Sequence, residues 1–456
     1  MPISQLGSPA PIVRFDDLLA PFREAEKPAD QWGVGAEMEK PGVFADSFAP
    51  VPYEGDRGVA TILERLVGSG WRPERETADG PIIALTRGMA SVTLEPGGQI
   101  ELSGAPHADV HAVAAELDQH QRELAPIAKA LGIHLLGIGF HPFATRDDLP
   151  WVPKKRYGIM RRYLPTRGAR GLDMMLRTST VQANLDYSSE KDAMRKRRVL
   201  LPLAPLVTAM FANSPFVEGR RGAGLSERGA VWLDVDPDRT GLVPGLWKDG
   251  AGYADYIEWA LDVPMFLVKR GDDYLPNTGQ TFRQFWKDGL GEHQANQSDW
   301  RLHLNTLFPE VRLKRTIELR SADAQPLDLA PALSALAVGL TYDEGALSAA
   351  EALVAPFSHD EVAALRREVW RTGLKTPFRG KPLAALAEVV LDIAKGGLAR
   401  RAIKDGEGRD ETRFLSSLIA LAASATTPAE MLLARIDPSK DLRAEVVRHS
   451  ELETPL

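Results

Sequence analysis

Four stretches of this chain alternate polar and apolar residues with a period of two, a pattern that suits strands of a sheet with one apolar and one polar face. In Gly33-Val-Gly-Ala-Glu-Met-Glu39, Val34, Ala36 and Met38 share one face, and Glu37 and Glu39 the other. In Ser91–Gly104, Pro96-Gly97-Gly98 is a turn signal between two alternating runs, which predicts a hairpin. Its Val92, Leu94, Ile100 and Leu102 face one way; Thr93, Glu95, Gln99, Glu101 and Ser103 face the other. In Arg177–Tyr187 the polar face is Thr178, Thr180, Gln182, Asn184 and Asp186. In Val311–Ser321 it is Arg312, Lys314, Thr316, Glu318 and Arg320, and the whole segment reads as one strand. Any one of these could be a solvated sheet face. Four together, filled with carboxylates, amides and arginines, point to a site.

The chemistry of such a face is that of hard oxygen ligands and oxyanion partners. Carboxylates, amide oxygens, waters and phosphates suit Mg²⁺. Guanidinium groups suit a transferring phosphoryl group, because their forked donors match its equatorial oxygens. No phosphate loop of the form G-x-x-x-x-G-K-[ST] occurs, and Gly137-Ile-Gly139 lacks the third glycine of a dinucleotide fingerprint. A nucleotide would therefore lie on a sheet face. Among nine histidines only His107 and His111 have helical spacing, which reads as a surface coincidence. A serine-hydrolase elbow is absent.

Elsewhere the 3.6-residue period dominates. Helices are expected over Gly58–Val67, Ala108–Leu131 and Lys191–Phe211, the last kinked or broken at Pro202 and Pro205. Asp16 and Asp17 predict an early capped helix, and His134–Phe140 a short buried strand. Asn213–Trp300 is rich in Gly, Pro and aromatics and reads as loops and short elements that cover substrate. From Leu329 the pattern is almost wholly helical. Strands mixed with helices, then a helical last third (329–456), give an α+β fold, taken as one catalytic domain over 1–456.

Composition narrows the class further. A net charge of −7 argues against a nucleic-acid binder. No run of about 18 apolar residues exists, so no membrane span is expected. The stretch from Met1 to Arg14 lacks the pattern of a signal peptide, and the cytoplasm is the expected location. There is no cysteine, which excludes disulfides, thiolate metal sites and a catalytic thiol.

These segments resemble the plant-type glutamate–cysteine ligases, a class shared by plants and many proteobacteria, and the proteobacterial branch is expected. The resemblance is carried by Val34-Gly-Ala-Glu-Met-Glu-Lys40, Leu94-Glu-Pro-Gly-Gly-Gln-Ile-Glu-Leu-Ser-Gly-Ala-Pro106, Gly171-Leu-Asp-Met-Met-Leu-Arg-Thr-Ser-Thr-Val-Gln182, Phe308-Pro-Glu-Val-Arg-Leu-Lys-Arg315 and Gly373-Leu-Lys-Thr-Pro-Phe378, in order along the chain. It implies the fold of glutamine synthetase, a curved and largely antiparallel sheet with helices on its convex side. It implies ATP as co-substrate and Mg²⁺ as cofactor, with Glu37, Glu39, Glu95, Glu101 and Glu318 at the metal-binding positions. Arg320, Arg228 and Arg283 are the expected phosphate or carboxylate partners. Arg177, Thr180, Gln182 and Asn184 are the expected substrate contacts. The implied reaction joins the glutamate γ-carboxylate to the cysteine amine through a γ-glutamyl phosphate. A related ligase with another amine acceptor, a non-catalytic relative and a metal-dependent phosphoryl hydrolase are the alternatives. The expected partners are small molecules, in a monomer or a homodimer without disulfides.

Overall fold

The computed structural model describes residues 10–453, so most of the N-terminal stretch on which the signal-peptide expectation rests lies outside the described residues. An eight-stranded sheet organises the chain: β1 Val34–Lys40, β2 Arg72–Arg75, β3 Ile82–Arg87, β4 Ala90–Leu94, β5 Ile100–Ser103, β6 Thr180–Leu185, β7 Val311–Leu313 and β8 Ile317–Asp323. Its spatial order is β7-β8-β6-β1-β5-β4-β3-β2, and every neighbouring pair is antiparallel. The α+β expectation therefore holds.

One face of the sheet carries the apolar half of each alternating segment. Val34, Ala36, Met38, Val92, Leu102, Val181, Ala183 and Leu319 are all buried there. Helices cover this face: α1 Val59–Leu66 on β3, α2 Val110–Ala130 and α3 Pro331–Thr341 on β1, and Glu190–Met210 on β8. Each fully buried Leu, Val or Met contributes about 1.5–3 kcal/mol, which makes this layer the main source of stability. Asp109 starts the Val110–Ala130 helix by accepting from the Ala112 amide at 2.8 Å.

Several expectations need correction. Val311–Ser321 is not one strand but a tight hairpin, turned at Lys314–Thr316 with the Lys314 amide donating to the Thr316 carbonyl at 3.0 Å. That turn contains no Gly or Pro, so the sequence carried no signal for it. Glu190–Met210 is not broken at Pro202 or Pro205 but continues as one helix through both. Both prolines are buried with most of the helix, and packing against β8 and the C-terminal helices outweighs the two lost backbone bonds. His134–Phe140 yields only the short strand Ile133–Leu135 and then runs on as an irregular buried segment. Strands β2 and β3 were not anticipated. β2 reads Arg-Pro-Glu-Arg and is wholly exposed, as suits an edge strand. The helical C-terminal third is present and ends with an unanticipated helix, Leu442–Ser450. Among the described residues no single helix is long and apolar enough to cross a membrane.

Candidate active site

The polar face of the sheet forms the floor of a cavity of about 450 Å³. Strand register lines up its side chains in rows. Thr93, Glu101 and Glu39 lie opposite one another across β4, β5 and β1. Ser103, Glu37 and Gln182 make the next row across β5, β1 and β6. Glu95 enters from the β4–β5 turn, where its amide donates to the Gln99 carbonyl at 3.0 Å. That turn demands both glycines: Gly98 has φ +85°, and a Cβ on Gly97 would stand 2.2 Å from the Leu176 carbonyl oxygen.

Carboxylates set directly opposite on a sheet repel each other, and the protonation equilibria reflect it. Burial, then the neighbouring Glu95 and Glu101, push the Glu39 carboxyl well above its usual range. Burial, then Glu318, raise Glu37. Three of these carboxylates also find donors. Glu39 accepts from the Thr180 amide at 3.0 Å, Glu37 from Asn184 Nδ2 at 2.9 Å, and Glu101 from the Thr93 and Ser103 hydroxyls. Among the described residues no three His, Asp or Glu side chains converge closely enough to cage an ion. The donor set nevertheless fits Mg²⁺. This ion is usually held by one or two carboxylates together with waters and substrate phosphates, so a complete protein cage is not required.

Cations form the opposite side. Between Leu319 and Ala322 the register of β8 slips by one against β6, a bulge that leaves Arg320 facing the cavity beside Gln182, to which it donates at 2.7 Å. Arg228 enters from a short helix, Glu227–Val231, and donates to the Arg320 carbonyl at 2.7 Å. Arg312 and Lys314 reach in from the β7–β8 hairpin, and Arg156 from the helix Lys155–Tyr163. Burial alone would lower Arg320, but the carboxylates of Glu318, Glu37 and Glu39 together outweigh it and raise the guanidinium pKa. Burial lowers Lys154 to about 7; its Nζ donates to the Leu94 carbonyl at 2.8 Å. The remaining wall is apolar and aromatic: Met160, Met174, Trp232, Phe266, Tyr274 and Phe308. Much of it comes from the Asn213–Trp300 region, expected to cover substrate.

The structure brings Glu37, Glu39, Glu95, Glu101, Thr180, Gln182, Arg228 and Arg320 to one cavity. Asn184 sits one step back, bridging Glu37 and Thr316. Glu318 is wholly buried beneath Arg312, Lys314 and Arg320, so its oxygens are already engaged by three cations rather than open to a metal. Two expected residues lie elsewhere. Arg177 closes the helix Gly171–Arg177 instead of starting β6, and its guanidinium pairs with Asp173 and Glu218 over the Phe140 ring. Arg283 is on the surface, paired with Glu258 and Asp262. The pair His107 and His111 is half-buried rather than on the surface, with His107 3.0 Å from Glu116. Sequence reasoning missed Lys154, Arg156 and Tyr157. Their only signal was the basic run Lys154-Lys-Arg156 beside an aromatic residue, outside any alternating strand.

A sheet face that sets carboxylates against guanidinium groups across one cavity, without a phosphate loop, defines a class of enzyme that handles oxyanions on a sheet. The chain belongs to glutamate-cysteine ligase family 2 (GCS2), whose model matches residues 33–452. It is 45% identical over 429 residues to the chloroplastic glutamate–cysteine ligase of Arabidopsis thaliana, covering 93% of this chain and 80% of that one. It is 44% identical over 427 residues to the corresponding protein of Brassica juncea, covering 93% and 81%. Among solved structures, the glutamate–cysteine ligase of Francisella tularensis in complex with AMP superposes with a TM-score of 0.56 at 12% identity, over 93% of this chain and 88% of that one. At that identity the likeness is one of fold.

Proposed function

We propose that this protein joins the γ-carboxylate of L-glutamate to the amine of L-cysteine at the expense of ATP, the first step of glutathione biosynthesis. The observation that carries this reading is the meeting of Glu39, Glu95 and Glu101 with Arg228 and Arg320 in one cavity, in a chain of this family. In the first half-reaction a γ-carboxylate oxygen of glutamate attacks the γ-phosphorus of ATP, giving γ-glutamyl phosphate and ADP. In the second, the neutral cysteine amine attacks the acyl carbon, the C–O bond to phosphate breaks, and the amide forms with release of phosphate and a proton.

This chain's residues position the reactants and balance their charge. Glu37, Glu39, Glu95 and Glu101 would hold Mg²⁺ together with the nucleotide phosphates, and the ion would supply positive charge at the transferring group. Arg228 and Arg320 neutralise phosphoryl or carboxylate oxygens, and Arg156 offers a further guanidinium to a substrate carboxylate. Glu318 keeps Arg312, Lys314 and Arg320 aimed at the cavity. Gln182 orients Arg320 through its side-chain oxygen.

An ADP-release assay with glutamate and a panel of amino acids tests the reading. Release that depends on cysteine supports it; release that depends on another amine makes the protein a related ligase with a different acceptor.

A further inference from the structure

The carboxylate of Asp323, at the end of β8, is buried and does not line the cavity. The bulge beside Arg320 shifts its register so that Asp323 pairs with Thr180. Three hydrogens converge on it: Oδ2 accepts from the Asn213 amide at 2.8 Å and the Ser214 hydroxyl at 2.6 Å, and Oδ1 from the Ser226 hydroxyl at 2.9 Å. Space for the carboxylate exists because residue 139 is glycine; a Cβ there would lie 2.4 Å from both Asp323 Cβ and Cγ.

A carboxylate only accepts, so each serine must turn its single hydroxyl hydrogen toward Asp323. Their lone pairs are then left for the helix Glu227–Val231. Ser214 Oγ accepts from the Arg228 amide at 3.2 Å, and Ser226 Oγ from the Gly229 amide at 2.9 Å. The far end of Arg228 is fixed by the same strand, through the Arg320 carbonyl at 2.7 Å. Burial lowers the Arg228 pKa, and the charge of Asp323 works against that loss.

We infer that Asp323 is a positioning residue: through Ser214 and Ser226 it fixes the first turn of Glu227–Val231, and with it the direction in which Arg228 enters the cavity. This rests on the proposed role of Arg228 in binding a substrate oxyanion. β8 then holds Arg228 at two points, by a backbone carbonyl at its tip and by a buried carboxylate behind its root.

The test is a double-mutant cycle in the full-length enzyme, with kcat/KM for glutamate measured at saturating Mg²⁺·ATP and cysteine, and melting temperature recorded alongside. Asp323→Asn replaces one accepting oxygen by a donor and removes the charge. It is expected to lower kcat/KM about 10- to 100-fold, the loss typical of misplacing a group that holds substrate. In an Arg228→Ala background the same change is expected to cost less than about 2-fold, because residues acting as a unit are not additive. A general structural role would instead reduce activity equally in both backgrounds, and that additive result would overturn the inference. If Asp323→Asn fails to fold, Ser226→Ala reads the same cycle with one hydrogen bond removed. Wild-type kcat/KM in Arg228→Ala would remove the proposed role of Arg228 and this inference with it, whereas additivity removes the inference alone.

Discussion

Arg312 grips both carboxylate oxygens of Glu318 across the β7–β8 hairpin, with Nη2 2.7 Å from Oε1 and Nε 3.2 Å from Oε2. The two residues are direct cross-strand partners. Lys314 adds a second cation at 2.5 Å and Arg320 a third. Burial would raise the Glu318 carboxyl, but these cations hold it well below the ordinary range. Removing the charge strands the buried Arg312 and the half-buried Lys314 and Arg320, and breaking a buried pair from one side costs about 3–5 kcal/mol. Glu318→Gln is therefore expected to lose both stability and activity, with urea unfolding showing the shifted midpoint.

Glu39 is expected to behave in the opposite way. Its carboxyl is raised in the folded protein, so the folded state holds a proton that the unfolded chain gives up nearer pH 4.5. Stability from this group is full below that pH and is lost as pH rises through the raised value. Glu39→Gln is expected to melt higher than wild type near neutrality and to lose less stability as pH climbs. Its turnover is expected to fall about 10²-fold or more, as for removal of a group that helps stabilise transition-state charge. Melting curves across pH, paired with activity, check both halves; a variant melting below wild type at neutral pH would contradict the repulsion argument.

This split between Glu318 and Glu39 marks where the sequence stops being legible. Alternation placed Glu37, Glu39, Glu101 and Gln182 on one face correctly, because side-chain direction in a strand depends only on parity. The pairing of Arg312 with Glu318 was hidden because it needs a turn at Lys314–Thr316, and no turn residue marks it. Arg156 was hidden because it comes from a helix with no period-two pattern. Arg177 and Arg283 were misjudged for a related reason: residue type indicates what a side chain can bind, while only tertiary placement indicates which partner it meets. Arg177 meets Asp173 and Glu218, and Arg283 meets Glu258 and Asp262.

That placement gives a paired prediction. Arg283→Ala removes a surface ion network and is expected to leave kcat/KM within about 2-fold, since such pairs contribute little. Arg156→Ala is expected to lower kcat/KM for substrate about 10²-fold, as for loss of one charge-stabilising donor. Steady-state kinetics on the two variants decide between the sequence-based and structure-based positions.

Crowded carboxylates also predict how ligands act on stability. Under the proposed function, Mg²⁺·ATP would bind the native cavity and relieve the repulsion among Glu37, Glu39 and Glu101, whereas ATP without the metal would add negative charge to it. At 100 times its dissociation constant a native-state ligand stabilises by about 2.7 kcal/mol. Thermal shift is expected to be large with Mg²⁺·ATP and small with ATP plus a chelator. Equal shifts in the two conditions would speak against the carboxylates as the metal's partners.

The last prediction concerns the path of the phosphoryl group. The chain has no cysteine. Its cavity is lined by carboxylates, guanidinium groups and lysines rather than by an activated serine or histidine. Such a site suits direct in-line transfer between bound substrates, with charge spread over the phosphoryl oxygens by Arg228 and Arg320. A phosphorylated side chain as intermediate would need one of the cavity glutamates to act as nucleophile, whereas the proposed function gives Glu37, Glu39, Glu95 and Glu101 to the metal. The γ-carboxylate of glutamate is the acceptor free to move. Glutamate labelled with heavy oxygen in that carboxylate is therefore expected to pass one labelled oxygen to the released phosphate at each turnover, detected by mass spectrometry. Unlabelled phosphate during steady cysteine-dependent turnover would exclude the acyl-phosphate path, and a stable phosphoenzyme trapped by acid quench would point to a side-chain acceptor instead.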